Sequence, residues 1–299
     1  MKKMPFLFWG IMLLTFACST QEKKSSYFDQ NPPGLEPQIF APGKISLPDR
    51  YEFGSVFSPQ ADEFFFAVRV DEEWNAEIWF SKYNAQKWST PARFGLDPRF
   101  SYNDSFVSAD GQRLYFMSTR PIQDDGKVKD SDLWYVQKSN DGWTKPINLG
   151  APVNCERNEF YITMTDSGTI YFSTNRHTAA DDWDYDIYYS TLKNQHYSEP
   201  VRLDSMINSS RFDVDAFVAP DESYLIFSSS RPGGFGSGDL YISFKTETGW
   251  SKAQNMGKTI NTEAREFCPC VTRDGKYLFY SSGGDIYWVS AEILQKFGK

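Results

Sequence analysis

The chain has 299 residues, a formal net charge of −8, four Cys, two His and 51 aromatic residues (9 Trp, 17 Tyr and 25 Phe). That much aromatic and aliphatic mass fills a large core and excludes a disordered chain, while a pI near 5 without a basic run argues against a nucleic-acid binder. Four Cys are too few for a disulfide scaffold, and His177 and His196 leave no room for a His-rich metal site.

In chain order, Lys2 and Lys3 come first, followed by a mainly apolar stretch from Pro5 to Ala17. Such a stretch is shorter than the roughly 20 residues a membrane-spanning helix needs, and it reads as the apolar part of a secretory signal. It ends in Thr15-Phe16-Ala17-Cys18 and resembles a bacterial lipoprotein signal, in which the Cys becomes the lipidated N-terminus. The resemblance implies lipidation at Cys18 and an anchor on an envelope membrane, with the outer membrane expected because Ser19-Thr20 follows the Cys. Residues 18–33 read as a flexible tether, and residues 34–299 as a single domain.

That domain is one unit repeated. An acid followed by an aliphatic residue and aromatics recurs at Glu77-Ile78-Trp79, Asp132-Leu133-Trp134, Asp186-Ile187-Tyr188, Asp239-Leu240-Tyr241 and Asp285-Ile286-Tyr287. Upstream of each acid lie two strands joined by a tight turn, with Asp110-Gly111 and Asp274-Gly275 giving the strongest hairpin signals. Near-continuous apolar runs such as Phe64-Phe65-Phe66 and Leu225-Ile226-Phe227 predict strands buried on both faces. A fourth strand is expected at Trp88-Ser89-Thr90-Pro91 and its repeats, at an edge where Pro is tolerated. Four antiparallel strands repeated radially predict an all-β fold, a β-propeller of five blades. The fifth unit lacks its fourth strand, and Glu36-Pro37-Gln38-Ile39-Phe40 is expected to supply it from the N-terminal side. A six-bladed ring needs an unrecognised blade and ranks second.

Phe57-Ser58-Pro59, Phe227-Ser228-Ser229-Ser230-Arg231-Pro232-Gly233-Gly234 and Asp239-Leu240-Tyr241-Ile242-Ser243 resemble TolB-type, WD40-like propeller repeats. The resemblance covers nearly all of the domain. It implies a fold, whereas function on this fold resides in particular sites.

Three features are expected on one face of the ring. The second strands end in Arg69, Arg120, Arg176 and Arg231, which read as framework partners of the third-strand acids. The first strands begin with Glu52, Asp104, Glu159, Asp213 with Asp215, and Glu266, which read as one strand face near the channel mouth and as candidate ligand contacts. These acids bind a ligand or cation, or else pair with Arg157, Arg211 and Arg265. Asn154, Asn208 and Asn261 each stand five residues before such an acid. Loop aromatics Trp74, Trp183, Tyr185 and Phe235 are the candidates for stacking on a sugar or peptide. Asp182, Asp184 and Asp186 alternate in the third long loop and offer oxygens to Ca²⁺, without the rest of an EF-hand. Cys155 is a candidate partner for Cys268 or Cys270 in an oxidising compartment.

No Gly-x-Ser-x-Gly elbow is present, and the sialidase Asp-box is not met. The expectation is therefore a non-enzymatic binding or scaffold module for an envelope protein or glycan, with no nucleic acid and no required cofactor. The alternative is a carbohydrate-active enzyme using carboxylates such as Glu52, Glu159 and Glu266.

Overall fold

The computed structural model describes residue 1 and residues 27–84, 86–123, 128, 130–178 and 184–298. Five small antiparallel sheets stand radially around a channel, as the repeats predict. Blade I is Glu52–Phe57, Glu63–Arg69 and Ala76–Asn84; blade II is Tyr102–Val107, Arg113–Ser118 and Asp132–Ser139. Blade III is Glu159–Met164, Ile170–Thr174 and Asp186–Ser190; blade IV is Asp213–Val218, Tyr224–Ser229 and Asp239–Thr246. Blade V is Glu266–Val271, Tyr277–Ser282 and Asp285–Ser290, followed by a short 3-10 helix, Ala291–Lys296. Its outer strand is Gln38–Ile39, which pairs antiparallel with Trp288 and Tyr287 and so closes the ring from the N-terminal side.

In blades I, II and IV the expected fourth strand is split into two-residue pieces, such as Lys87–Trp88 and Ala92–Arg93 in blade I. The hydroxyl after the Trp explains the break. Ser89 Oγ accepts the backbone N–H of Lys82 at 3.1 Å, Thr144 Oγ1 that of Gln137 at 3.0 Å, and Ser251 Oγ that of Phe244 at 3.0 Å. In blade III, Ser198 Oγ takes the N–H of Thr191 at 3.1 Å in the same way. A side chain thus satisfies the third strand where the outer backbone leaves it.

The aromatic runs fill the seams between blades. Phe40, Phe57, Phe64, Phe66, Phe279 and Trp288 form the seam of blades V and I, and four further buried clusters fill the other seams. Tyr27 and Phe28, expected in the tether, belong to this V–I seam. Phe28 is 2% exposed and stacks on Trp88 at 4.2 Å, and Tyr27 packs edge-on against Phe57 and Tyr277. Tyr27 and Phe28 therefore belong to the folded unit, because the seam has room for two more rings and burying each contributes about 1.5–3 kcal/mol.

Every first strand carries a bulge. The pairing register shifts between Phe53 and Val56, Asn103 and Phe106, Phe160 and Thr163, Val214 and Phe217, and Phe267 and Cys270. Within each shift one residue adopts a left-handed conformation: Gly54, Asp104, Tyr161, Asp215 and Cys268, with φ from 50° to 57°. Only the first is glycine, so four blades hold a non-glycine residue in a region that costs it about 1–2 kcal/mol. The bulge interrupts the alternation of side chains, and this divides the first-strand acids into two groups.

Candidate functional site

The acids at the start of the first strands are fully buried and hold the preceding loop. Glu159 accepts from the Cys155 N–H at 3.0 Å, the Cys155 thiol at 2.9 Å, Thr174 Oγ1 at 3.0 Å and Arg176 Nη2 at 3.2 Å. Asp213 accepts from the N–H and hydroxyl of Ser209, each at 2.6 Å, and from Arg231 at 2.6 Å. Glu266 accepts from the N–H of Thr262 at 3.0 Å, its hydroxyl at 2.6 Å and Ser282 Oγ at 2.8 Å. Glu52 pairs with Arg50, yet burial still pushes its carboxyl up to about 7. The preceding Asn residues complete the clasp. Asn154, Asn208 and Asn261 each accept the N–H and donate to the carbonyl of one third-strand residue: Leu133, Ile187 and Leu240. These positions are framework.

The Arg residues at the second-strand ends do not meet the third-strand acids. Arg176 and Arg231 reach back to Glu159 and Asp213, Arg69 binds the Asp71 carbonyl at 2.6 Å and Glu72 at 2.9 Å, and Arg120 lies over the Trp134 ring at 5.0 Å. The third-strand acids are held from the outer edge instead: Glu77 by Arg93 at 2.9 Å, Asp132 by Asn148 at 2.9 Å, Asp186 by Arg202 and Asp239 by Asn255 at 2.6 Å. Nor do the Arg residues that precede the first-strand acids pair with them. Arg265, next to Glu266, instead points its guanidinium between two aromatic rings.

Of the Ca²⁺ candidates, Asp182 lies outside the described residues, as does Trp183. Asp186 is buried, with His177 Nε2 at 2.8 Å, and Asp184 Oδ2 stands 3.9 Å from the same nitrogen. Among the described residues no group of three or more His, Cys, Asp or Glu side chains could hold a metal ion. Cys268 and Cys270 are free thiols, and the Cys155 thiol donates to Glu159.

Asp104 and Asp215 form the second group of acids. As bulge residues they turn to the channel axis, where Cys268 Sγ lies 3.7 Å from Asp104 Oδ1 and 3.8 Å from Asp215 Oδ2. A Cβ on Gly54 would stand 3.6 Å from Asp104 Oδ1 and 3.7 Å from Cys268 Sγ, so blade I contributes free space at the same level. The Tyr161 hydroxyl donates to the Pro269 carbonyl at 2.6 Å across this plug. Burial raises the Asp104 carboxyl, and the Asp215 charge raises it further; burial also raises Asp215, against the pull of Arg265. The same burial, with both acids beside it, keeps the Cys268 thiol protonated.

Above the plug, an aromatic collar runs part-way round the mouth, over blades I, V, IV and III. Trp74 is 43% exposed and meets Tyr51 at 5.2 Å, Phe53 at 6.0 Å and Phe267 at 6.4 Å, with Arg69 stacked on it at 4.5 Å. Arg265 lies 5.1 Å from the Phe267 ring and 5.2 Å from the Phe212 ring. Phe212 then meets Tyr185 at 5.5 Å, and Tyr185 meets Phe160 at 5.2 Å. Trp74 is thus a recognition candidate placed where a ligand can reach it. Tyr185 is buried at 7% exposure and anchored through its hydroxyl by Asn158 at 2.8 Å, so it supports the collar from beneath. Phe235 stands exposed on the loop beside Gly234 and Gly236.

Sequence reasoning missed Tyr51, Phe53, Phe160, Phe212 and Phe267. The available signal was their adjacency to the framework acids: Tyr51-Glu52-Phe53, Glu159-Phe160, Phe212-Asp213 and Glu266-Phe267. Neighbours on a strand point to opposite faces, so an acid turned into the loop sends its neighbours toward the mouth.

No protein-family model matches the sequence, and no curated protein matches it. Solved structures match in fold. Hydrazine synthase of Kuenenia stuttgartiensis aligns with a TM-score of 0.50 and 10% identity over 81% of this chain and 37% of that one. A gluconolactonase of Xanthomonas campestris aligns at 0.46 and 13% over 86% and 97%. Prolyl oligopeptidase B of Galerina marginata aligns at 0.41 and 15% over 76% and 30%. The chain spans about a third of the length of the peptidases and the synthase it resembles. At these identities the likeness is one of propeller fold alone.

Proposed function

We propose that this chain is a lipid-anchored lipoprotein of the bacterial envelope, built on TolB-type repeats, whose propeller binds a glycan at the collar without transforming it. The collar carries the proposal. Flat rings around a channel mouth, one of them a half-exposed Trp, suit stacking on sugar faces, while the repeated acids at the strand starts are spent on the framework. Titrating the full-length chain with a panel of oligosaccharides tests it. Binding that weakens at least tenfold in Trp74→Ala, with circular dichroism unchanged, supports it; no binding across the panel overturns it.

The anchor fits this reading. Tyr27 is bonded to Asp274, in the turn between the first two strands of blade V, on the face opposite the collar. Eight residues lie between Cys18 and Tyr27, so the nine steps from one to the other reach at most about 30 Å. A lipidated Cys18 would therefore hold the turn face near the membrane and leave the collar facing away from it.

A second reading, hydrolysis of the bound glycan, has one observation in its favour. Asp104 and Asp215 are neighbouring buried carboxyls with raised pKa values, a pattern common at catalytic sites. Product release from any panel member that disappears in both Asp104→Asn and Asp215→Asn would place the protein among the carbohydrate-active enzymes.

A further inference from the structure

Beside the collar, between blades IV and V, a cavity is lined by Phe212, Ser228, Ser230, Ser237, Gly238 and Arg265. Glycine makes this close fit feasible. A Cβ at Gly236 would fall 1.9 Å from the Ala264 carbonyl oxygen, and one at Gly238 would fall 3.0 Å from Arg265 Cγ. The Asp239 carboxylate pins the loop by accepting the N–H groups of Phe235 at 2.7 Å and Gly236 at 2.9 Å. Together these contacts hold Ser237 and Gly238 against Arg265.

Four arginines of the mouth face are tied to acidic residues. Arg50, Arg176 and Arg231 each pair with a carboxylate, and Arg69 is tied to Asp71 and Glu72. Among the described residues, Arg265 has no carboxylate within ion-pair distance. Two rings flank its guanidinium, and the residue lines the cavity. The hydroxyls of Ser230 and Ser237 are exposed there, and Ser228 donates its proton to the Glu266 carbonyl at 2.7 Å, which keeps its oxygen an acceptor. A planar fork of donors flanked by hydroxyls matches an oxyanion held by two parallel hydrogen bonds. The chain carries a net charge of −8, so long-range attraction does not draw an anion here, and selection falls to this one guanidinium.

We propose that the cavity at Arg265 is an anion subsite and that the glycan bound at the collar is acidic, carrying a carboxylate or a sulfate ester. This rests on the glycan reading above. The sugar ring lies on the Trp74–Phe267 side, and its acidic group reaches between Phe212 and Phe267 to the guanidinium, with Ser230 and Ser237 hydrogen-bonding its remaining oxygens.

The test titrates the full-length chain with matched trisaccharides of glucose, galactose and mannose. Each is offered neutral, as its uronate and as its sulfate ester, beside an acidic hexapeptide. In at least one series an anionic member should bind at least tenfold tighter than its neutral counterpart. Arg265→Gln should erase that difference, whereas Trp74→Ala should weaken neutral and anionic members alike and leave their ratio standing. Arg265→Lys keeps the charge without the fork and should retain only part of the preference; it also decides the matter if Arg265→Gln does not fold. The uronate and sulfate arms show which oxyanion is taken. Neutral and anionic sugars bound alike, or a preference that survives Arg265→Gln, overturn the anion subsite and leave the glycan reading standing. Tighter binding of the hexapeptide than of any sugar overturns the acidic-glycan assignment, and no sugar bound at all overturns the glycan reading itself.

Discussion

The phenol of Tyr27 donates to the carboxylate of Asp274 at 3.3 Å, joining positions 247 residues apart. Together with the strand pairing of Gln38 and Ile39, this contact makes the N-terminal segment part of the last blade. Phe28 is the most deeply inserted ring of that segment, meeting Phe40, Phe64 and Trp88. Phe28→Ala should cost about 3–5 kcal/mol, the range for a large buried aromatic. Urea denaturation will read this as a lower midpoint with the slope unchanged.

Asn208, like Asn154 and Asn261, makes three side-chain hydrogen bonds. It accepts the Ile187 N–H at 2.9 Å and donates to the carbonyls of Ile187 at 3.0 Å and Leu203 at 2.8 Å. Truncation to Ala leaves the Ile187 N–H and the Leu203 carbonyl without this partner, while the Ile187 carbonyl keeps the Leu203 N–H at 3.1 Å; each group left unsatisfied costs about 1–3 kcal/mol. Asn208→Ala should therefore destabilise by about 2–4 kcal/mol in the same assay, well beyond the effect of an exposed substitution.

Asp104 and Asp215 make stability depend on pH in a defined direction. Both carboxyls are raised above the ordinary Asp value of 3.8. Between the unfolded and folded values the native state holds protons that the unfolded chain has released. Their contribution is thus complete below the unfolded value, falls as pH rises through the folded value, and stays lost above it. Asp104→Asn removes one of the two charges. Its melting temperature should draw level with wild type at acid pH and rise above it toward alkaline pH. Each kcal/mol of that gap corresponds to about 2–4 °C in a domain of this size, read by thermal melts across the pH range. A variant less stable than wild type at pH 8 would falsify the assignment of a desolvated, mutually repelling pair.

Cys18 carries the proposed anchor. Cys18→Ala should move the protein from the membrane fraction to the soluble fraction after cell lysis, with its melting curve unchanged because Tyr27, Phe28 and the seam they fill are left intact. Persistence in the membrane fraction after a high-salt wash would sink the lipid anchor.

Much of the architecture was legible in the sequence because a repeat states the same packing problem five times. Acid–aliphatic–aromatic strands at regular spacing could bury both faces only between neighbouring blades. The missing fourth strand of blade V could come only from the segment around Gln38 and Ile39. Asn154, Asn208 and Asn261 stood out as a fixed offset from an acid, but their clasp on the third strand did not, because it depends on a strand some twenty residues upstream.

The site was legible only in part. Glu52, Glu159, Asp213 and Glu266 look like Asp104 in sequence, and all five were read as one strand face. A bulge decides otherwise: one left-handed residue in each first strand turns Asp104 and Asp215 to the axis while the other acids face the loop. No periodicity encodes that step, since in four blades it falls on Asp, Tyr or Cys instead of glycine. Arg265 was similarly ambiguous beside Glu266. The sequence by itself determined the ring, its closure and its seams, because those follow from local pattern and burial. Only the tertiary structure decided which acids are framework, which line the axis, and which arginine faces a cavity unpaired, because each depends on what a neighbouring blade places opposite.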